Sequence, residues 1–316
     1  MIRTAFVFPG QGSECAGMGR DLLALRPDLA GSYFRAADDL LGIPLARLCL
    51  EGSARDLEDP AVAQPAVFLT SLAVLEVLRG EGLEPDAVAG HSLGEYAALV
   101  AAGVLEWTEA LWLVRLRGEL VATVGDRVGS ATVAVIGLRR TDLTRMCAEG
   151  RAATGHVVEV AGENEPRQTV VSGEAEAVAH VVAAARAAGA RVEPLRTGGP
   201  FHSSLLREVE AEFTETLIAT EFRAPRIPLV SGVTGDWVTS AGEAVVALRA
   251  QLTSPVRWTG TVESLAASGA ERFVEVGPGR VLGGLIRRIL PGAHVHATNT
   301  SAGLARAVGS LTDTTV

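Results

Sequence analysis

Short apolar runs closed by glycine- and proline-rich turns alternate, along most of this chain, with longer segments whose apolar residues recur every three or four positions. The first such run is Ala5-Phe6-Val7-Phe8, stopped by Pro9-Gly10-Gln11-Gly12, and it reads as a buried strand entering a tight turn. Residues 67–78 carry Leu69, Leu72, Val74 and Leu75 at helical spacing. Residues 86–89 form a brief strand that runs into Gly90-His91-Ser92-Leu93-Gly94, followed by an alanine-rich helix over 95–104 and another over about 108–124. Near the end come a strand over 272–276, a Gly277-Pro278-Gly279 turn and a helix over 281–290. Repeated strand, turn and helix units predict a parallel sheet covered on both faces.

Between about 130 and 198 the pattern changes. Strand 131–138, helix 140–149, strands 157–160 and 169–172, helix 175–188 and strand 191–195 follow in the order β-α-β-β-α-β of a ferredoxin-like unit. The prediction is an α/β chain in which a small α+β subdomain, 129–198, is inserted into a large parallel-sheet domain made of 1–128 and 199–316. The tail after Asn299 shows no constraining pattern.

Composition narrows the class. With 316 residues, 48% hydrophobic and 21% charged, the chain is globular rather than disordered, and aromatics at 4% imply an aliphatic core. No apolar run reaches the roughly 20 residues of a membrane span, and the first ten residues are too short and abrupt for a secretory signal. Cys15, Cys49 and Cys147 are odd in number and lack CxxC spacing, which argues against disulfides and zinc and for a reducing cytoplasm. The net charge of −9 argues against a nucleic-acid partner. If the partner is itself acidic, a local basic patch is required.

The candidate chemistry centres on Gly90-His91-Ser92-Leu93-Gly94, a G-x-S-x-G sequence between a strand and a helix. Flanking glycines let the chain turn sharply and expose the serine. The helix that starts there offers N–H groups and a dipole to negative charge, so the Leu93 N–H can help hold an oxyanion. A serine nucleophile needs a base, and six histidines are available. His91 adjoins Ser92 but points elsewhere at a helix start; His156 and His180 fall in the insert; His294 and His296 flank the last strand. His202 stands in a rigid Gly198-Gly199-Pro200-Phe201 turn before an amphipathic helix marked by Leu206, Val209, Phe213 and Leu217, a place equally suited to a capping or packing residue. Arg117 has Leu113, Val114, Leu120 and Val121 around it on its helix, whereas Arg115 has Glu119. A buried guanidinium needs a partner: a ligand carboxylate held bidentately, or a distant acid such as Asp38 or Glu58.

Taken together, FVFPGQGS (6–13), QPAVFLTSLAVL (64–75), GHSLGEYAALVAAGVL (90–105), Arg117-Gly118, PFHS (200–203), SPVRW (254–258) and EVGPG (275–279) make residues 3–298 resemble the malonyl-CoA:acyl-carrier-protein transacylase family, including stand-alone acyltransferases of polyketide synthesis. The resemblance implies a hydrolase-like α/β domain with a ferredoxin-like insert. It implies Ser92 as nucleophile, His202 as base, the Gln11 and Leu93 N–H groups as oxyanion hole and Arg117 on the malonyl carboxylate. It also implies that the Gln251 carbonyl, in place of a triad acid, orients His202. No bound cofactor is implied: a coenzyme A thioester is the substrate, and phosphopantetheine arrives on an acyl carrier protein. Glu14 replaces the usual Gln, Val121 a frequent Met, and Gly162-Glu163-Asn164-Glu165-Pro166 brings two extra acids near the expected mouth. Phe201-His202 resembles malonyl-selective polyketide acyltransferases. Three rivals remain: an esterase or thioesterase using His294 or His296, a carrier-to-carrier transferase of an uncarboxylated or aminoacyl unit, and a carrier-binding module without activity. For carrier docking, the candidates are Arg280, Arg287 and Arg288, or Arg191 and Arg196.

Overall fold

The computed structural model describes residues 2–312. Strand β1 (Thr4–Phe8) is buried along its whole length. Three short helices follow, α1 (Arg20–Leu25), α2 (Ala36–Leu41) and α3 (Leu45–Glu51). Helix α4 (Pro60–Gly80) opens with Asp59, whose carboxylate accepts from the Ala61 N–H, and with Pro60 in the first turn. It is buried along most of its length. By length and hydropathy, 1.8 on average, α4 would cross a membrane, but 89% of that stretch is buried within the protein, so it is a central core helix. The sequence reading found no apolar run of that length because Gln64, Thr70 and Ser71 interrupt it; all three are buried.

Strand β2 (Ala87–Gly90) leads into α5 (Gly94–Ala101), and the long α6 (Trp107–Val128) packs across α4. The chain then forms β3 (Ser130–Ile136), α7 (Arg140–Thr154), β4 (Val158–Glu165), β5 (Gln168–Glu174), α8 (Ala175–Ala187) and β6 (Arg191–Leu195). These four strands make an antiparallel sheet in the order β4-β5-β3-β6, the ferredoxin-like arrangement. Val133, Val135 and Val171 pack with Leu143 of α7 and Val181 of α8 in a core of their own.

The chain returns through α9 (Glu210–Ala219), β7 (Leu229–Val230), β8 (Trp237–Val238), α10 (Ala241–Gln251), α11 (Trp258–Ala267), β9 (Arg272–Glu275), α12 (Val281–Ile289), β10 (His294–Ala297) and α13 (Ser301–Thr312). The large sheet runs β10-β9-β1-β2-β7-β8, parallel except for β8. Alternation along β1 explains the two helical layers: Phe6 and Phe8 enter one core, Ala5 and Val7 the other. The small sheet is stitched to the segment between α10 and α11 where Val256 pairs with β4, its N–H donating to the Ala161 carbonyl at 3.0 Å and its carbonyl accepting from the Glu163 N–H at 2.7 Å.

The tail departs from its sequence reading. Residues 301–312 form α13, with Leu304, Ala307 and Leu311 buried. The intervening glycines, alanines and serines hid that stripe, and 313–316 lie outside the described residues. Because Leu304 is in the core, Leu304→Ala should cost about 2–4 kcal/mol of stability. The urea midpoint is the measurement, and a loss under about 0.5 kcal/mol would mean α13 is not part of the folding unit.

Candidate active site

The elbow forms because two glycines permit it. A side chain at Gly90 would overlap the backbone of Gly94 and Glu95, and one at Gly94 would overlap the Phe8 carbonyl. Between them Ser92 is held at φ 53°, a left-handed conformation that a serine adopts only when its surroundings impose it. His202 is the other non-glycine residue at positive φ, 56°, among those described. Its loop is wedged against α4 and α6: Gly198 abuts Pro60, Gly199 abuts Val121, and Gly125 of α6 abuts the Gly198 carbonyl.

These two strained residues meet. Ser92 Oγ lies 2.7 Å from His202 Nε2. On the far side of the ring, His202 Nδ1 lies 2.8 Å from the Gln251 carbonyl and 3.0 Å from that of Ser254. Carbonyl oxygens only accept, so Nδ1 carries the proton and Nε2 presents its lone pair to the Ser92 hydroxyl. Burial, and after it the Arg117 charge, push the His202 pKa down to about 3, which keeps the ring a neutral acceptor.

Arg117 is 1% exposed. Its Nη1 donates to Gln64 Oε1 at 2.7 Å and its Nη2 to Ser92 Oγ at 3.0 Å, while Nε has no partner. The guanidinium carbon sits 5.4 Å from the centre of the Phe201 ring. Among the described residues no acid forms an ion pair with it. Asp38 instead accepts from the Ala46 N–H, and Glu58 pairs with Arg196. Burial lowers the Arg117 pKa.

Gln11 reaches across the pocket, donating to the Thr197 carbonyl at 3.1 Å and accepting from Gln64 Nε2 at 3.3 Å. Leu93 follows Ser92 just before α5. Around them is a cavity of about 370 Å³. One wall carries Gln11, His91, Ser92 and His202; the other is the open face of the small sheet, with Thr132, Ala134 and Val170. Alternation on β3 places those residues opposite its helix-covered face.

The structure thus brings Ser92, His202, Gln251, Arg117 and Gln11 into one network and leaves the other histidines out of it. His91 lines the cavity, bonded at 2.9 Å to Asn164. His156 pairs with Glu174, and His294 and His296 sit on β10 at the far edge of the sheet. Gln64, Ser254 and Asn164 were not assigned from sequence. For Gln64 there was a signal, a polar residue in an apolar helix; a main-chain carbonyl such as that of Ser254 gives none. The extra acids do not reach the mouth: Glu163 faces Arg140 at 3.4 Å, and Glu165 accepts from the Arg167 N–H of its own hairpin at 2.9 Å. Val121 supports the His202 loop instead of lining the cavity. Glu14 accepts from the Gly12 N–H at 2.7 Å, and burial raises its pKa.

A family model described as the acyl transferase domain matches residues 5–312. The chain belongs to the acyl transferase family. This acyl transferase is 39% identical over 310 residues to the malonyl CoA-acyl carrier protein transacylase of Escherichia coli (strain K12), covering 98% of this chain and 99% of that one. Among solved structures, it resembles an acyl carrier protein S-malonyltransferase from Vibrio cholerae at TM-score 0.90 and 39% identity, over 96% of this chain and 99% of that one. It also resembles a malonyl-transacylase solved in complex with its type II PKS acyl-carrier protein, at TM-score 0.93 and 38% identity, over 98% and 99% of the two chains.

The neutral His202 ring sets a pH signature. Modification of Ser92 by phenylmethanesulfonyl fluoride should keep its rate between about pH 8 and about pH 5, and an inflection near 6.5 would refute the buried, proton-refusing ring. The same ring makes the fold acid-sensitive. Above 6.5 both states are neutral there; as the pH falls from 6.5 toward 3, the unfolded chain takes up a proton that the folded ring refuses, and stability drops. Replacing His202 with Gln should flatten that slope.

Proposed function

We propose that this acyl transferase moves a malonyl group from coenzyme A to the phosphopantetheine thiol of an acyl carrier protein, through an ester on Ser92, in fatty-acid or polyketide synthesis. The observation that carries the reading is the buried Arg117 guanidinium, in no ion pair with an acid among the described residues and donating to the nucleophile itself. Nη2 lies 3.0 Å from the Ser92 Oγ that would carry the acyl chain, and a carboxylate on that chain would supply a direct counter-charge.

The steps follow from the geometry. His202 Nε2 takes the Ser92 proton as Oγ adds to the thioester carbonyl, and the oxyanion is held by the Gln11 and Leu93 N–H groups. The imidazolium, steadied by the Gln251 and Ser254 carbonyls, protonates the departing thiolate of coenzyme A. The carrier's thiol then surrenders its proton to His202 and attacks the ester carbonyl, and His202 returns that proton to Ser92 Oγ as the oxygen leaves. Because the Arg117 charge lowers the His202 pKa, a bound malonate tail makes the ring more basic as it neutralises that charge. The coenzyme is a substrate, so the reading calls for no resident cofactor. We assign the large domain to 1–128 and 199–316 and the insert to 129–198. We place the protein in the cytoplasm, consistent with Cys15, Cys49 and Cys147 all being free.

Intact-mass analysis after mixing with malonyl-CoA should show malonyl on the wild type and none on Ser92→Ala. Arg117→Ala should lose about two to four decades of kcat/KM for malonyl-CoA while acetyl-CoA is spared or gains. An unchanged malonyl-to-acetyl ratio would make Arg117 scaffold and withdraw the carboxyacyl assignment. For the acidic carrier, Arg191 and Arg196 are neutralised by Glu193 and Glu58, whereas Arg280, which caps the start of α12, and Arg288, in its last turn, form no ion pair among the described residues. The double change Arg280→Glu, Arg288→Glu should raise the carrier KM about tenfold at low salt with the coenzyme KM less affected, and an unaltered carrier KM would move docking elsewhere.

A further inference from the structure

One side chain of the Gly90–Tyr96 segment takes no part in these steps. Glu95 is 2% exposed, lies in the first turn of α5 three residues after the nucleophile, and has no cationic partner in an ion pair among the described residues. Its Oε2 accepts from Gln251 Nε2 at 2.6 Å and its Oε1 from the Gly232 N–H at 3.3 Å. The same Gln251 Nε2 donates to the Ser92 carbonyl at 3.1 Å, and the Glu95 N–H donates to that carbonyl at 3.0 Å. The Gln251 main-chain carbonyl is the one that takes the His202 Nδ1 proton at 2.8 Å.

Gln251 is the last residue of α10, where carbonyls have no partner inside the helix and their direction depends on what anchors the residue. Its side chain has two ends of opposite character. The carboxamide oxygen is buried without a partner, while the nitrogen makes both bonds. The Ser92 carbonyl only accepts, so this position admits the nitrogen end alone and rejects the flipped amide. Burial raises the Glu95 pKa, and its bonds to Gln251, Ser231 and Gly232 oppose the rise.

We propose that Glu95 is a positioning residue: by fixing the Gln251 carboxamide, it locks the Ser92 backbone and the carbonyl that orients His202 into one arrangement. This rests on the reading of Ser92 and His202 as nucleophile and base. Glu95 and Gln251 act through the Ser92 backbone and the His202 ring, so the effect falls on the chemical step and not on binding.

The test uses single-turnover acylation by malonyl-CoA, together with sulfonylation of Ser92 by phenylmethanesulfonyl fluoride, which reports the Ser92–His202 pair whatever the natural acyl group. Glu95→Ala should slow both about 100-fold with the KM for malonyl-CoA within threefold, and Glu95→Gln, which keeps an acceptor, should recover to within about tenfold of wild type. Gln251→Ala should match Glu95→Ala, and the double variant should be no slower than either, because both remove one link. Additive losses, a loss carried by KM, or less than threefold slowing of sulfonylation would overturn the proposal. If Glu95→Ala does not fold, Gln251→Ala carries the same decision alone. Absence of malonyl-Ser92 in the wild type would sink the malonyl reading, while the sulfonylation rates would still decide this one.

Discussion

A guanidinium taken out of water without a carboxylate costs several kcal/mol unless its N–H groups are met and its charge is spread, and Arg117 is held under that constraint. Gln64 takes one end, Ser92 Oγ the other, and the Phe201 ring lies against the plane. Gln64 in turn holds Gln11, which reaches the Thr197 carbonyl just ahead of the loop that carries His202. Solvating one cation with neutral groups therefore ties helix α4, the first turn, the elbow and the histidine loop to one point. In the proposed mechanism burial, and after it this cation, make His202 reluctant to accept a proton, and a substrate carboxylate relieves the share that the cation contributes.

Rigidity around that point comes from backbone contacts. Ser92 and His202 both sit at positive φ, a conformation that costs on the order of 1–3 kcal/mol at each residue and persists only when the surroundings leave no alternative. Glycine seams supply those surroundings, because main chain touches main chain at Gly94 and Phe8 and at Gly125 and Gly198. Farther out, the Glu275 carboxylate accepts from the Leu282 and Gly283 N–H groups and pins the start of α12 to the sheet. The EVGPG segment is thus a fastening. Its Gly279 lies against Ser13, two residues beyond Gln11.

Local signals were readable in the sequence to the extent that the chemistry was local. The elbow was legible because glycine spacing around Ser92 is a backbone requirement, and the ferredoxin-like order was legible because each strand and helix has its own period. Arg117 declared itself by its apolar neighbours. His202 stayed one of six until the family resemblance singled it out, because what distinguishes it is the approach of the Gln251 and Ser254 carbonyls from about fifty residues away. The acids at 163 and 165 were misplaced for a related reason: on an irregular strand with register shifts, sequence neighbours of the pocket residues Gly162 and Asn164 turn aside. Helix α13 was overlooked because small residues dilute its stripe.

The register of the large sheet carries a consequence for how the molecule is made. Strand β1 pairs with β9, Thr4 opposite Arg272, so the first strand waits for the last seventh of the chain before both its edges are filled. The four strands of the insert pair with one another between Ser130 and Leu195 and enclose their own small core. On a ribosome, that unit can close while the large sheet is still open, and Val256 is translated only after its docking strand β4 stands ready. Assembly thus runs from the middle outward. The wall of the cleft is built before Ser92 and His202 are brought together, and the joining of β9 fills the last edge of β1.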